Sequence, residues 1–286
     1  MTPQLAFSNS NATARHPWTL PRSARPRADP NRDNRPSRFN FPRTLRSVRA
    51  LALAISIGSL LPQSQAVDAT WTGPAGGLWN DDANWNPADA PTSLGDIARI
   101  DSGTAVLNGK LTISQLFFRG GEIKTPDSFL QNLILRNGVH FGGANAQVGT
   151  FSGGTYLTNA GSGTWNPTAT DAYFTASGTG SFLNDDSGTF TILKDSQFGF
   201  YNTAELGPEF LNHGVLRKTG GSGLFDISWR LFTDSGGTVS VTSGQLSLSG
   251  GGSHHGAFNA SGGEIIFAGK THQLNTGATF TTPPDS

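Results

Sequence analysis

The 286-residue chain contains no cysteine, and only 14% of its residues are charged. The absence of cysteine excludes a disulfide-stapled scaffold and a thiolate zinc site. The low charge argues against a coiled coil and against a chain kept disordered by charge repulsion. Glycine, in contrast, occurs 37 times and aromatic residues make up 10% of the chain. A polar, glycine-rich chain with regularly placed phenylalanine is typical of an all-β protein.

The formal net charge of zero conceals an uneven distribution of charge along the chain. Residues 1–66 hold ten Arg and two Asp, whereas residues 67–286 hold ten Lys plus Arg and eighteen Asp plus Glu. Nucleic-acid binding depends mainly on neutralising phosphates with positive side chains. We therefore expect no nucleic-acid partner for the acidic part of the chain.

Residues 1–42 contain seven of the sixteen prolines and seven arginines. This composition buries too little apolar surface to offset the loss of chain entropy on folding, which predicts a disordered extension. We interpret the extension as having no role in the mature protein. The alternative is an arginine-rich arm that touches nucleic acid or anionic lipid.

Residues 43–66 show the three parts of a secretory signal peptide. Arginines stand at 43, 46 and 49, an apolar run of twelve residues occupies 50–61, and small residues occupy 64 and 66. Twelve helical residues span about 18 Å, which is short of the roughly 30 Å hydrocarbon core, so we do not expect an integral membrane protein. We predict cleavage after Ala66, with Ala69 as second choice, and export to the extracellular space or the outer cell surface. The 42-residue extension ahead of the signal suggests a misassigned start codon or an unusually long n-region.

Three tryptophans, Trp71, Trp79 and Trp85, fall within fifteen residues that are rich in turn-forming pairs. We predict that residues 67–104 form a cap, in which these large rings plug the open end of a solenoid. The alternative is an aromatic platform on which sugar rings stack.

From about residue 105 onward, a unit recurs in which a phenylalanine is followed by polar residues, a glycine and a short strand. We place the phenylalanines at a repeated corner; they are Phe151, Phe182, Phe210, Phe232 and Phe258. Alternation in segments such as Thr238–Thr242 and Gln245–Ser249 predicts strands with one buried face. The period predicts a right-handed parallel β-helix of roughly seven coils over residues 105–286, with a β-sandwich or jelly roll as the rival architecture. Because the chain stops just after Phe280 opens a further unit, we expect a truncated gene product.

The tryptophan segment reads W-x-G-x-x-G-G-x-W-x-D-x-x-N-W, and it is followed by units such as Phe210-Leu-Asn-His-Gly-Val-Leu. Over about residues 70–282 the chain resembles autotransporter-like bacterial surface proteins with β-strand repeats. This resemblance implies an exported, pectin-lyase-like solenoid with a role in adhesion or surface structure.

The standard motifs of catalytic and nucleotide-binding sites are absent from the sequence, and no thiol nucleophile exists. Adjacent His254 and His255 point to opposite faces of a strand, which makes them a poor metal pair. The segment Gly220–Asp226 approaches a calcium-binding nonapeptide once, out of register. The densest acidic group comprises Asp185, Asp186, Asp195, Glu205 and Glu209. Turn chemistry explains Asp185 and Asp186 within it. We therefore expect no catalytic residue, no metal, no cofactor and no enzymatic activity.

Two functional hypotheses follow from the sequence. The first is an exported bacterial surface or extracellular solenoid with a structural or adhesive role, whose partner is unknown and lies on a host or cell surface or in extracellular polysaccharide. The second is a secreted protein that binds or degrades polysaccharide along the solenoid. The second hypothesis requires a row of exposed aromatic rings, formed by Trp71, Trp79, Trp85, Trp165 and Tyr201.

Overall fold

Short β-strands stack in parallel from one coil to the next through the described part of the chain. This computed structural model describes residues 65–126, 130–202 and 207–282, so the predictions for residues 1–64 lie outside it. The predicted fold class is confirmed as an all-β parallel solenoid of about seven turns. Among the described residues, the helical structure is one 3-10 turn at Asp82–Asn84.

The regular coils each contribute three strands, one to each of three stacks. The first stack comprises β10 (Thr155–Asn159), β13 (Ser181–Asn184), β16 (Glu209–Asn212), β19 (Arg230–Thr233), β22 (Gly252–His254) and β25 (His272–Leu274). The second comprises β11 (Ser162–Trp165), β14 (Thr189–Ile192), β17 (Val215–Lys218), β20 (Thr238–Val241), β23 (Ala257–Asn259) and β26 (Thr279–Thr281). The third comprises β12 (Tyr173–Ala176), β15 (Ser196–Tyr201), β18 (Leu224–Ile227), β21 (Gln245–Leu248) and β24 (Glu264–Phe267).

The earlier coils are less regular. Their strands are β1 (Asp68–Trp71), β2 (Gly77–Leu78), β3 (Trp85–Asn86), β4 (Ile97–Ile100), β5 (Thr104–Val106), β6 (Leu111–Phe118), β7 (Glu122–Lys124), β8 (Gln131–Phe141) and β9 (Gln147–Ser152). The long strand β8 serves two stacks, because its beginning pairs with β10 and its end pairs with β11. The short strand β3 pairs antiparallel with β1, and β4 pairs with β1 in parallel. Among the described strands of this sheet, parallel stacking therefore ends at β1.

Alternation along each strand explains how the solenoid fills its interior. In β20, Val239 and Val241 are fully buried, while Thr238 and Ser240 between them are partly exposed. Val239 stacks in register between Leu216 and Phe258 of the neighbouring coils. Burying one such side chain stabilises the fold by about 1.5–3 kcal/mol, and the same contact recurs coil after coil.

Gly138 allows β8 to turn from the first stack to the second. Its φ angle of +120° lies in a region that L side chains rarely adopt. A Cβ atom at this position would also lie 2.3 Å from the carbonyl oxygen of Ser162 in the next coil. Glycine is therefore required here both for backbone conformation and for close stacking.

Candidate binding cleft

The three tryptophans of the predicted cap form a buried cluster. Trp71, Trp79 and Trp85 are between 1% and 4% exposed, and Trp85 makes edge-on contacts with both other rings. The indole N–H of Trp79 donates to the carbonyl of Pro91 at 2.9 Å. The sugar-stacking alternative is wrong for these rings, because their faces are covered by protein. Trp165 is also fully buried, so the predicted row of exposed aromatic rings does not form.

The predicted phenylalanine corner is also wrong, because the five residues lie within strands and in different stacks. Phe182 and Phe210 are true equivalents that stack at 4.8 Å in the first stack. Phe232 faces outward there, since Leu231 occupies the inward position above Phe210. Phe151 belongs to β9 and Phe258 to β23. Insertions of different length between strands explain why the phenylalanine spacing did not mark one structural position.

A buried column of polar side chains runs through the first stack. Asn159 donates to Asn184 at 2.8 Å, and Asn184 donates to Asn212 at 2.8 Å, across separations of 25 and 28 residues. All three amides are fully buried. Such a ladder satisfies buried polar groups while it fixes the register of successive coils.

The same column continues through Thr233 to His254. His254 is fully buried and its Nε2 lies 3.1 Å from Nδ1 of His272. Since His272 Nε2 must donate to the carbonyl of Ala268, neutral His272 accepts at Nδ1 and His254 donates from Nε2. His254 Nδ1 is then a buried acceptor without a partner. Burial, aided by nearby His272 and His255, lowers the pKa of His254 to about 4.

His255 is exposed while His254 is buried, so the two rings point to opposite faces, as the strand geometry predicts.

Lys218 occupies an inward position between Ile192 and Val241 and is fully buried. Its ammonium donates to Asp195 at 2.7 Å and to the carbonyl of Gly220 at 2.6 Å. The glycine-rich segment that begins at Gly220 thus binds an internal lysine. This arrangement differs from the calcium loop that the sequence faintly resembles.

Two of the five acidic residues singled out in the sequence form ion pairs with different partners. Asp195 pairs with Lys218, and Glu209 pairs with Arg230 of the next coil. Glu205 lies outside the described residues. The carboxylates therefore do not converge on one catalytic group within the described part of the chain.

Asp185 and Asp186 instead meet His213, which follows the equivalent strand one coil later. One ligand atom from each of these residues lies within 4.8 Å of the others. These oxygen and imidazole donors are the described group best suited to hold a divalent cation. Sequence reasoning assigned the two aspartates to a turn and missed the histidine, because the contact spans a full coil.

A cleft of about 380 Å³ opens on the outer face of the first stack. Its main wall is one outward register column, in which Tyr156, Ser181, Glu209 and Arg230 stand on four successive strands. Ser181 is the small residue between two large ones. Tyr156 and Glu209 lie on either side of it, two inter-strand spacings or roughly 9–10 Å apart. The cleft therefore forms because one small side chain stands between larger ones in this column.

Two polar groups in this cleft lack partners among the described residues. Ser181 is 3% exposed, and its hydroxyl makes no hydrogen bond although it lines the cleft. Arg230 donates from a terminal nitrogen to Glu209, but its buried Nε has no acceptor. The Ser181 hydroxyl lines the cleft and can hydrogen-bond to a ligand there, whereas Arg230 Nε is covered by protein and lies out of a ligand's reach.

Charge in the cleft is balanced, because the Arg230 guanidinium and the Glu209 carboxylate form an ion pair. A ligand carboxylate would be repelled by Glu209, and a ligand amine would be repelled by Arg230. Hydroxyl groups both donate and accept, so a neutral polyol satisfies the whole set. Tyr156, which is partly exposed, adds a ring against which the C–H face of a sugar can pack. Sequence reasoning missed this site, because its members lie more than 20 residues apart.

Comparison of the chain with protein-family models, with curated proteins and with solved structures found no match. Within the residues that the structure describes, no helix has the length and apolar character needed to cross a membrane.

Proposed function

We propose that this protein is an exported bacterial surface or extracellular β-solenoid with a structural or adhesive role and no catalytic activity. The observation that carries the proposal is the stacking itself. Sheets of seventeen and nine strands run along the solenoid, and their inward side chains fill its interior. A rod of this kind is rigid, and it presents its ligand-capable groups on its outer faces. The signal-like residues 43–66 and the resemblance to autotransporter-like surface proteins support export.

Fractionation of the native host tests this proposal. An immunoblot with antibody raised against residues 207–282 is expected to detect the protein outside the cytoplasm, in the medium or at the outer surface. A control blot for a cytoplasmic enzyme establishes that the cells are intact. Retention of the whole signal in the cytoplasmic fraction would contradict export.

A second candidate function is carbohydrate binding, and the cleft at Ser181 favours it. The ligand class is a neutral pyranose, for which the unpartnered Ser181 hydroxyl supplies a hydrogen bond and Tyr156 a ring. The volume of about 380 Å³ lies at the small end of the range for small-molecule sites, which suits one or two sugar rings. This role would also give the proposed adhesion a partner.

Saturation-transfer NMR with methyl glucoside, galactoside and mannoside tests the second candidate. We expect at least one to bind in the millimolar range or tighter, and we expect Tyr156→Ala and Glu209→Gln each to weaken it about tenfold, equivalent to roughly 1.4 kcal/mol. Asp101→Asn is the matched control, because Asp101 forms a comparable pair with Arg119 outside the cleft. Absence of binding by all three glycosides, or equal weakening by the control, would contradict the assignment.

A further inference from the structure

The first described strand begins beside a buried carboxylate. Asp96 is 3% exposed, and its Oδ1 accepts a hydrogen bond from the backbone nitrogen of Val67 at 2.9 Å. Its Oδ2 accepts from the backbone nitrogens of Thr92 and Ser93 at 2.9 and 2.7 Å. Val67 is also held by its carbonyl, which accepts from Ile97 at 2.7 Å. The nitrogen of Val67 is thus fixed on Asp96.

No Lys, Arg or His among the described residues pairs with Asp96. A carboxylate removed from water is costly unless a positive charge or hydrogen bonds compensate it. The neighbouring Asp68 does have such a partner, since both its oxygens accept from Arg99 at 2.7 Å. That hydrogen bond holds the pKa of Asp68 below its usual range. Asp96 therefore lacks a cation that a nearby surface aspartate possesses.

We propose that removal of the leader by hydrolysis of the Ala66–Val67 bond supplies this cation as the α-ammonium of Val67. A peptidase adds water across the peptide bond, so that Ala66 leaves with the new carboxylate. Val67 keeps its nitrogen, which becomes a primary amine and takes up a proton at neutral pH. The existing hydrogen bond to Asp96 then becomes a charge-assisted ion pair. This inference deepens the proposed export and rests on it.

The structure also distinguishes Ala66 from the second predicted cleavage site. Gln65 and Ala66 are exposed, so the bond after Ala66 is accessible. Ala69 is fully buried in β1 and is in register with Ala98 of β4. Cleavage after Ala69 would remove half of β1 together with the Asp68–Arg99 pair. Cleavage after Ala66 leaves β1 whole.

Thermal unfolding of two purified chains tests the proposal. One chain begins at Val67, and the other retains Gln65 and Ala66, which moves the α-ammonium away from Asp96. We expect the Val67 chain to have a melting temperature higher by about 2–4 °C at pH 7, the shift that 1 kcal/mol produces in a domain of this size. Asp96→Asn should remove this difference, whereas Asp68→Asn should lower both chains equally.

The pH dependence of the melting-temperature difference between the two chains provides a second readout. If Asp96 only held the loop, this difference would not change as the α-amino group loses its proton. The ion pair raises the pKa of the α-amino group above its ordinary range of about 7.7–8.0. The stability that the ion pair adds is therefore complete below that range and is lost as the pH rises through the raised pKa. Equal melting temperatures of the two chains, or equal loss on Asp96→Asn in both, would overturn the proposal. Because both chains are made with defined ends, this test stands apart from the localisation of the protein in cells.

Discussion

His254 makes the solenoid sensitive to acid, because its ring is fully buried at the end of the polar column. Its Nε2 is committed to His272, and its Nδ1, where a proton would add, has no partner. The charged form is therefore disfavoured, first by burial and then by the neighbouring His272 and His255, which lower the pKa of His254 to about 4.

The sign of the effect follows from comparison with the unfolded chain, where a histidine has a pKa near 6.5. As the pH falls below about 6.5, the unfolded state takes up the proton while the folded state stays neutral. The contribution of neutral His254 to the free energy of unfolding is thus complete above about pH 6.5 and is lost progressively as the pH falls toward 4. The difference between the two pKa values corresponds to about 3 kcal/mol of unfolding free energy.

Urea unfolding between pH 7.5 and 4.5 measures this loss, with His254→Leu as the perturbed chain. Leu274 occupies the equivalent position one coil later, so we expect a leucine side chain to fit at this position of the stack. We expect the variant to lose less stability with acid than the wild type, by up to about 3 kcal/mol. His140, whose pKa is also lowered by burial, titrates in both chains and cancels in the difference. Parallel pH profiles for the two chains would refute the reasoning.

Three further predictions concern the interior. Asn184→Ala should lower the free energy of unfolding in urea by about 2–4 kcal/mol, because it removes two buried hydrogen bonds of the ladder. The exposed Asn166→Ala should lower it by less than about 0.5 kcal/mol. Asp195→Ala should cost about 3–5 kcal/mol by stranding the buried ammonium of Lys218, whereas Lys218→Met should be near neutral; the reverse order would contradict the described pairing. Acrylamide should quench the tryptophan fluorescence of a chain starting at Val67 only weakly, because its five tryptophans are at most 4% exposed; strong quenching would show an open cap.

Local patterns in the sequence predicted the strands well. The alternation at Thr238–Val241 and Gln245–Leu248 matches β20 and β21, because an inward-outward period of two residues is fixed within one strand. The clustered tryptophans likewise predicted a buried cap. The inward orientation of Lys218 could have been predicted in the same way, since it lies two residues after inward-facing Leu216. A charged residue is not normally expected at a buried position, so the sequence did not indicate it.

Contacts between coils were not accessible in this way. The Asn184–Asn212 bond and the Glu209–Arg230 pair join residues 28 and 21 positions apart, and the separation varies from coil to coil. Because the repeat length varies, the sequence does not show which residues of neighbouring coils lie side by side. The polar ladder and the cleft are therefore visible only once the strand register is known. The same variation misled the placement of the phenylalanine corner.

The N-terminal residue of the protein recovered from its native location tests the central claim most directly. Intact-mass analysis and N-terminal sequencing of material from the medium or outer surface should give Val67 as the first residue. Such a result would join export, removal of the leader and an intact β1 in one measurement. Recovery from the cytoplasm with residues 43–66 still attached would contradict the account.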